Sequence, residues 1–313
     1  MKQTIITVEG PTASGKTALS VALAKILRTE VISADSMQIY RHMDIGTAKP
    51  TAEEIQGVPH HMLDICEPWE TFSVAKYVSL ADAAAQDILR RGKIPIVSGG
   101  TGLYVNALLE GNIFSGEETD VAYRETLKKL YEERGAEYLF QLLKQVDPES
   151  GKTLHPNNVK RVIRALEVYQ QTGKTIGELN RSHKRSEPKY QAVRLAVCPA
   201  DREYLYERIN RRVDQMVEAG LLLETETLLQ KGLLQQTAGQ AIAYKELLPY
   251  FHGEAPLEDC LEKLRQRSRN YAKRQLTWLR REKDIHWIYY QRRDEFRDIL
   301  NSSTEYLKEK GVI

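Results

Sequence analysis

The chain has 313 residues and a formal net charge of +2. That is enough for one large α/β domain or two domains, and too balanced to mark the whole surface as a nucleic-acid binder, so any such face must be local. Three widely spaced cysteines (Cys66, Cys198, Cys260) fit no zinc or disulfide framework, and no apolar run approaches the length of a membrane span. The N-terminal MKQTIITVEG runs into a strand with no signal-peptide pattern, so a cytoplasmic protein is expected.

The first hundred residues alternate strand and helix, with strands predicted at 4–8, 30–33 and 94–98 and helices at 16–27 and 73–91. Ser73 is placed as the cap of the second helix. Pro95 is awkward for a central strand and blurs that strand's boundary. Such alternation predicts a parallel sheet with helices on both faces. Between the first strand and helix, Gly10, Pro11, Thr12, Ala13, Ser14, Gly15, Lys16 and Thr17 complete a G-x-x-x-x-G-K-T loop. Backbone N–H groups of that turn and the helix N-terminus point at one anion, Lys16 adds a point charge, and the Thr17 hydroxyl can hold Mg²⁺. The loop grips a polyphosphate or pyrophosphate without saying which.

The second strand ends at Asp35, where a carboxylate falls on the ligand side of an open parallel sheet and can accept a proton or bind metal. A turn or helix cap through Asp35-Ser36-Met37-Gln38 is the plainer alternative. Ser36, Met37 and Gln38 offer a hydroxyl, soft apolar surface and an amide, a mixture suited to an aromatic heterocycle. The third strand runs into Ser98-Gly99-Gly100-Thr101-Gly102 without the acid that nucleotide-hydrolysing P-loop proteins use to help hold Mg²⁺. Glycines there let backbone approach a ligand, and Thr101 can hydrogen-bond a phosphate or leaving oxygen; a tight strand–helix turn is the alternative.

After Gly111 the pattern turns helical, from about 119 to 173, with a basic cluster at Lys160, Arg161 and Arg164. RSHKRSEPK (181–189) reads as a linker or mobile loop. Strands resume at 193–198 and 285–290. The fold class is therefore α/β: a P-loop NTPase-like parallel-sheet core (1–112 and 187–313) with basic C-terminal helices, interrupted by a helical insertion domain (113–186). Arg208 and Arg212, four apart, share a helix face suited to a phosphate-rich site or to plain solvation. Residues 261–283 hold nine basic side chains, and Arg267, Tyr271, Arg274, Trp278 and Arg281 recur in helical steps. Cations interleaved with aromatic rings suit a nucleic-acid backbone and unstacked bases. An ordinary solvated face with Trp278 in the core is the competing reading.

Six segments, in order, closely resemble bacterial tRNA dimethylallyltransferases (tRNA isopentenyltransferases). They are GPTASGKT (10–17), DSMQIYRHMDIGTAKP (35–50), GGTGLY (99–104), HPNNVKRVIRALEVYQQTGK (155–174), GQAIAYKE (239–246) and KRQLTWLR (273–280). Ala243 departs from the glycine expected in many members. The resemblance implies transfer of a dimethylallyl group from dimethylallyl diphosphate to N6 of the adenine at tRNA position 37, with release of pyrophosphate and a need for Mg²⁺. It implies Asp35 as the base, Thr101 assisting at the bridging oxygen or adenine, and Arg212 with the phosphate loop on the diphosphate. Ser36, Met37 and Gln38 would contact the flipped base. The anticodon stem-loop would meet Arg124, Lys160, Arg161, Val162, Ile163 and Arg164 on the insertion. In the core it would meet Gln240, Ala241, Ile242, Ala243, Tyr244 and Lys245, and then Lys273, Arg274, Gln275, Leu276, Thr277, Trp278, Leu279 and Arg280. A monomer without membrane association is expected. The competing functions are a P-loop small-molecule kinase, an isopentenyltransferase acting on free adenine nucleotides, and a non-enzymatic RNA-binding protein.

Overall fold

The computed structural model describes residues 3–111, 120–184, 187–234 and 237–313. Two compact units make up the chain, Met1–Gly111 with Lys189–Ile313, and Asn112–Pro188.

The first half of the larger unit runs β1 (Thr4–Glu9), α1 (Lys16–Leu27), β2 (Val31–Ser33), α2 (Ala52–Ile55), β3 (His60–His61), α3 (Val74–Arg90), β4 (Ile96–Gly99) and α4 (Gly102–Glu110). The smaller unit follows with α5 (Val121–Val146), α6 (Pro148–Thr153), α7 (Val159–Thr172) and α8 (Ile176–Lys184). The larger unit resumes with β5 (Gln191–Pro199), α9 (Arg202–Glu218), α10 (Leu221–Gln230), α11 (Ile242–Phe251), α12 (Leu257–Leu279), β6 (Ile285–Tyr290) and α13 (Phe296–Glu309).

The six strands form one parallel sheet in the order β3-β2-β4-β1-β5-β6. Buried on both faces, β1 reads as an apolar and β-branched run through Val8, as an interior parallel strand does. Its successive side chains enter opposite layers. Ile6 and Val8 pack with Leu19, Leu195 and Leu307, while Ile5 packs with Ile32, Tyr77, Ala81 and Val97. Pro95 sits just outside β4, where its missing N–H costs no ladder bond, and its carbonyl still accepts from the Ile6 N–H at 3.1 Å. Ser73 caps α3 by accepting from the Lys76 N–H. The two-residue β3 is too short to leave a periodic signal.

Registers of Glu9 with Gly99 and of Ser33 with Ser98 bring three strand ends to one edge, where the phosphate loop, the Asp35 turn and the Thr101 turn all emerge. Behind that edge, Glu9 is buried and accepts two hydrogen bonds from the Arg194 guanidinium (2.8 and 2.9 Å). Arg194 also donates to Glu282 at 2.8 Å, and the Asn106 amide donates to the other Glu282 oxygen at 3.0 Å.

In the smaller unit, α5 is two helical stretches meeting at Gly135, whose φ of 81° breaks the helix. Its core joins Leu127, Leu139, Phe140 and Leu143 to Val162, Ile163 and Leu166. Fully buried Glu167 accepts from Arg124 at 2.6 Å and from Arg164 at 2.9 Å. The predicted linker at 181–189 begins inside a helix instead, since α8 runs to Lys184; Arg185 and Ser186 lie outside the described residues. Among the described residues no helix is long and apolar enough to cross a membrane.

Candidate active site

The phosphate loop is held from several sides. Gly15, at φ 91°, caps the start of α1, a left-handed position that a side chain would strain. The Arg208 Nε donates to the Ala13 carbonyl at 2.8 Å, and the Tyr290 hydroxyl to the Ser14 carbonyl at 3.1 Å. The Gln275 Oε1 accepts from the Thr12 N–H at 2.8 Å. Lys16 folds back, its Nζ donating to the Pro11 carbonyl at 2.7 Å. Among the described residues the buried Ser14 hydroxyl has no partner. A loop braced from outside and underused within is suited to receive a ligand's oxygens.

This loop opens on a cavity of about 360 Å³ whose lining includes Lys16, Thr17, Ser33, Asp35, Gln38, Ser98, Arg212 and Tyr271. Burial, then Arg212, pushes the Lys16 amine down to about 8, against the opposing pull of Asp35 and Cys198. Burial likewise holds the Arg212 guanidinium below its ordinary value. Arg212 donates to the Thr12 hydroxyl and to the Ala48 carbonyl, each at 3.3 Å. Among the described residues neither cation makes an ion pair; their hydrogen-bond partners are neutral oxygens. Two desolvated cations that outnumber the one carboxylate beside them, and that hydrogen-bond only neutral oxygens, make an anion site.

Asp35 is the single carboxylate among the described lining residues. Its Oδ1 accepts from the N–H groups of Met37 (2.9 Å) and Gln38 (3.4 Å), so the turn-capping reading is realised alongside a cavity position. The Thr101 Oγ1 accepts from the Ser36 N–H at 3.2 Å and so joins the two turns. The three glycines around Thr101 are explained by the protein itself. A Cβ would lie 2.2 Å from the Ala34 carbonyl oxygen at Gly99, 2.1 Å from the Gln275 amide nitrogen at Gly100, and 2.1 Å from the Trp278 indole nitrogen at Gly102. Close approach is the correct physical reading of these glycines, but what approaches is α12 and the neighbouring strand end rather than a ligand.

A family model described as IPP transferase matches residues 38–282, and one described as isopentenyl transferase matches residues 3–67. The chain is 46% identical to the tRNA dimethylallyltransferase of Caldanaerobacter subterraneus subsp. tengcongensis, over 98% of each protein. It is 51% identical to that of Geobacillus thermodenitrificans, over 92% of this chain and 91% of the relative. The chain belongs to the IPP transferase family. Among solved structures it is similar to the full-length tRNA isopentenylpyrophosphate transferase from Bacillus halodurans, with 43% identity, TM-score 0.73, and coverage of 99% and 98%. It also resembles a eukaryotic dimethylallyltransferase crystallised acting on tRNA, with 29% identity, TM-score 0.84, and coverage of 99% of this chain and 79% of that one.

For an IPP transferase the predicted RNA-facing residues divide sharply by burial. Lys160, Arg161 and Arg164 are exposed on α7 and Arg124 is half-buried on α5, whereas Val162 and Ile163 are core residues. In the segment from Gln240 to Lys245, Gln240 and Lys245 are exposed and Ile242 half-buried, but Ala241, Ala243 and Tyr244 are buried. On α12 and its cap, Lys273, Arg274, Thr277, Trp278 and Arg280 are exposed and Leu276 is half-buried. Leu279 is buried, and Gln275 is consumed by the phosphate loop and by the Gly100 carbonyl, to which its Nε2 donates at 3.1 Å. Spacing alone marks a helix stretch as RNA-facing; only packing shows which side chains are spent inside. Trp278 is 37% exposed, so it is not a core residue, and Arg281 lies past the end of α12, off the continuous face.

Two site residues carry no sequence signal for the role they play. Tyr271, expected on the RNA face, lines the cavity; burial, then Asp35, pushes its hydroxyl up to about 12. Glu224 belongs to no motif, and the backbone N–H groups it accepts from lie some 180 residues earlier in the chain.

Proposed function

We propose that this IPP transferase moves a dimethylallyl group from dimethylallyl diphosphate to N6 of the adenine at tRNA position 37, releasing pyrophosphate. The observation that carries the reading is one cavity shared by Lys16, Arg212 and Asp35, where cations that hydrogen-bond only neutral oxygens face a single carboxylate. The phosphate loop and Arg212 bind the diphosphate. As the allylic carbon–oxygen bond breaks, its electron pair leaves with pyrophosphate, and Lys16 and Arg212 stabilise the growing charge. The adenine N6 forms the new bond to carbon and gives up a proton, which Asp35 takes. The Met37 N–H holds the carboxylate in place for that transfer. Thr101, accepting from the Ser36 N–H, joins the two turns and can donate to the departing oxygen.

The hydroxyl and carboxylate oxygens of Thr17, Ser33 and Asp35 in this cavity fit a hard cation, and among the described residues no cluster of His, Cys, Asp and Glu offers a softer site. We assign Mg²⁺ to this place, with Thr17 as a ligand; when bound it supplies further positive charge beside the leaving diphosphate. The adenine must leave the loop stack, at a cost of about a few kcal/mol. Ser36, Met37 and Gln38 at the cavity wall receive it. Exposed Lys160, Arg161 and Arg164, and separately Lys273, Arg274 and Arg280, are assigned to the anticodon stem-loop.

The test is mass spectrometry of unmodified tRNA bearing adenine at position 37, incubated with dimethylallyl diphosphate and Mg²⁺. The tRNA gains the mass of one dimethylallyl group. A modified free adenine nucleotide with unchanged tRNA, or ATP-dependent phosphorylation of a small molecule, overturns the proposal.

A further inference from the structure

We infer that Glu224 is a positioning residue for both ends of the active-site cavity, acting through the loop at residues 44–48. The inference rests on the tRNA-prenylation reading above. Glu224 stands in the first turn of α10. Its Oε2 accepts from the N–H groups of Asp44 and Ile45, each at 2.9 Å. Its Oε1 accepts from the Gly46 N–H at 2.9 Å and from the Tyr244 hydroxyl at 2.7 Å. Three successive backbone N–H groups form an anion-binding concavity, and here the protein supplies the anion itself. Bonds to a carboxylate are roughly twice as strong as neutral ones, so this clasp is firm. The Tyr244 ring closes the other side: a Cβ at Gly46 would lie 2.5 Å from it. This gives Tyr244, 0% exposed, a place inside the fold rather than on an RNA surface.

What the clasp holds still is a pair of carbonyls. The Ala48 carbonyl accepts from Arg212 at 3.3 Å and from the Gln38 Nε2 at 3.0 Å; the Thr47 carbonyl accepts from the same Gln38 nitrogen at 3.4 Å. Gln38 and Arg212 both line the cavity. Ala48 itself has φ 50°, a left-handed conformation uncommon for a residue with a side chain, so the loop needs outside restraint to keep it. Glu224 therefore sets the acceptors that orient Arg212 at the diphosphate end and Gln38 at the adenine end. No residue of the clasp is itself charged toward the cavity, so its loss changes aim, not charge.

The test is calorimetric binding of inorganic pyrophosphate with Mg²⁺, together with kcat and KM for dimethylallyl diphosphate and tRNA. Glu224→Ala is expected to weaken pyrophosphate binding and raise the dimethylallyl diphosphate KM by about tenfold. Glu224→Gln keeps one acceptor oxygen but turns an NH₂ toward a donor, and should fall between it and the wild type. Tyr244→Phe removes one of four bonds and should shift the same constants by about twofold. A lowered melting temperature with unchanged Kd and KM in the variants that fold would make Glu224 merely structural and overturn the inference. If Glu224→Ala does not fold, the other two variants decide: wild-type constants in both reject the proposal. Wild-type protein that fails to modify tRNA overturns the function instead, while the pyrophosphate series still judges Glu224.

Discussion

The cavity of the larger unit and the core of the smaller one treat their cations in opposite ways. Arg124 and Arg164 share a fully buried carboxylate, Glu167, and so have their charge answered inside the protein. Lys16 and Arg212 face neutral oxygens, and burial lowers both of their pKa values. Burying cations with no ion pair is unfavourable, and a fold that tolerates it has room for an anion that arrives later. The pattern separates arginines whose charge a buried carboxylate answers from cations whose hydrogen bonds go only to neutral oxygens. Both kinds look alike in the sequence.

The sharpest break in this contrast comes from Asp35, the one carboxylate among the described residues lining the cavity. Asp35→Ala should lower kcat by about 10²- to 10⁴-fold while tRNA affinity stays near normal, read by single-turnover kinetics and filter binding. Unchanged turnover would remove Asp35 as the base. Lys16→Ala should cost about 10²- to 10³-fold in turnover, with weaker pyrophosphate binding. On the paired side, Glu167→Ala should lower stability by about 2 kcal/mol, because two arginines lose their buried partner and both are partly solvated. Pyrophosphate affinity should not move; a change there would erase the distinction between the two regions.

The smallest effect is a pH dependence. In the free protein the Lys16 amine sits at about 8, and an anion beside it raises that value. Pyrophosphate binding should therefore take up protons near pH 8. Affinity should be full below that pH and weaken, by up to about tenfold per unit, as pH rises through it. Calorimetry in buffers of different ionisation enthalpy measures the uptake, and Lys16→Ala should remove the share of it that the amine contributes.

Much of this design is legible in the amino-acid sequence. The strand–loop–helix at residues 4–27 is local, its glycines and Lys16 carry their own chemistry, and the motif places them without help from the rest of the chain. Asp35 is legible because a strand end has a fixed sense in a parallel sheet. The remainder depends on contacts far apart in sequence. Gln275 reads as one more polar residue on a basic helix, yet its amide spans Thr12 and Gly100. Tyr271 keeps helical spacing with Arg274 and both line the cavity, and periodicity cannot tell a cavity-facing side from a solvent-facing one. The His60–His61 strand is shorter than the period needed to see it.

The Glu9–Arg194–Glu282 cluster constrains how the chain is made. Its three members emerge from synthesis at widely separated times: Glu9 at the outset, Arg194 after all four helices of the smaller unit, and Glu282 near the end. Until Arg194 exists, Glu9 has no counter-ion, and the middle of the sheet cannot close over it at low cost. The helical unit is contiguous in sequence and rich in local contacts, so it can fold while the chain is still growing. The catalytic core, though its motif is among the first residues made, is thus the last part to be completed. A nascent chain shorter than about 200 residues should expose its central strand to proteases and chaperones even when its helical unit is already native.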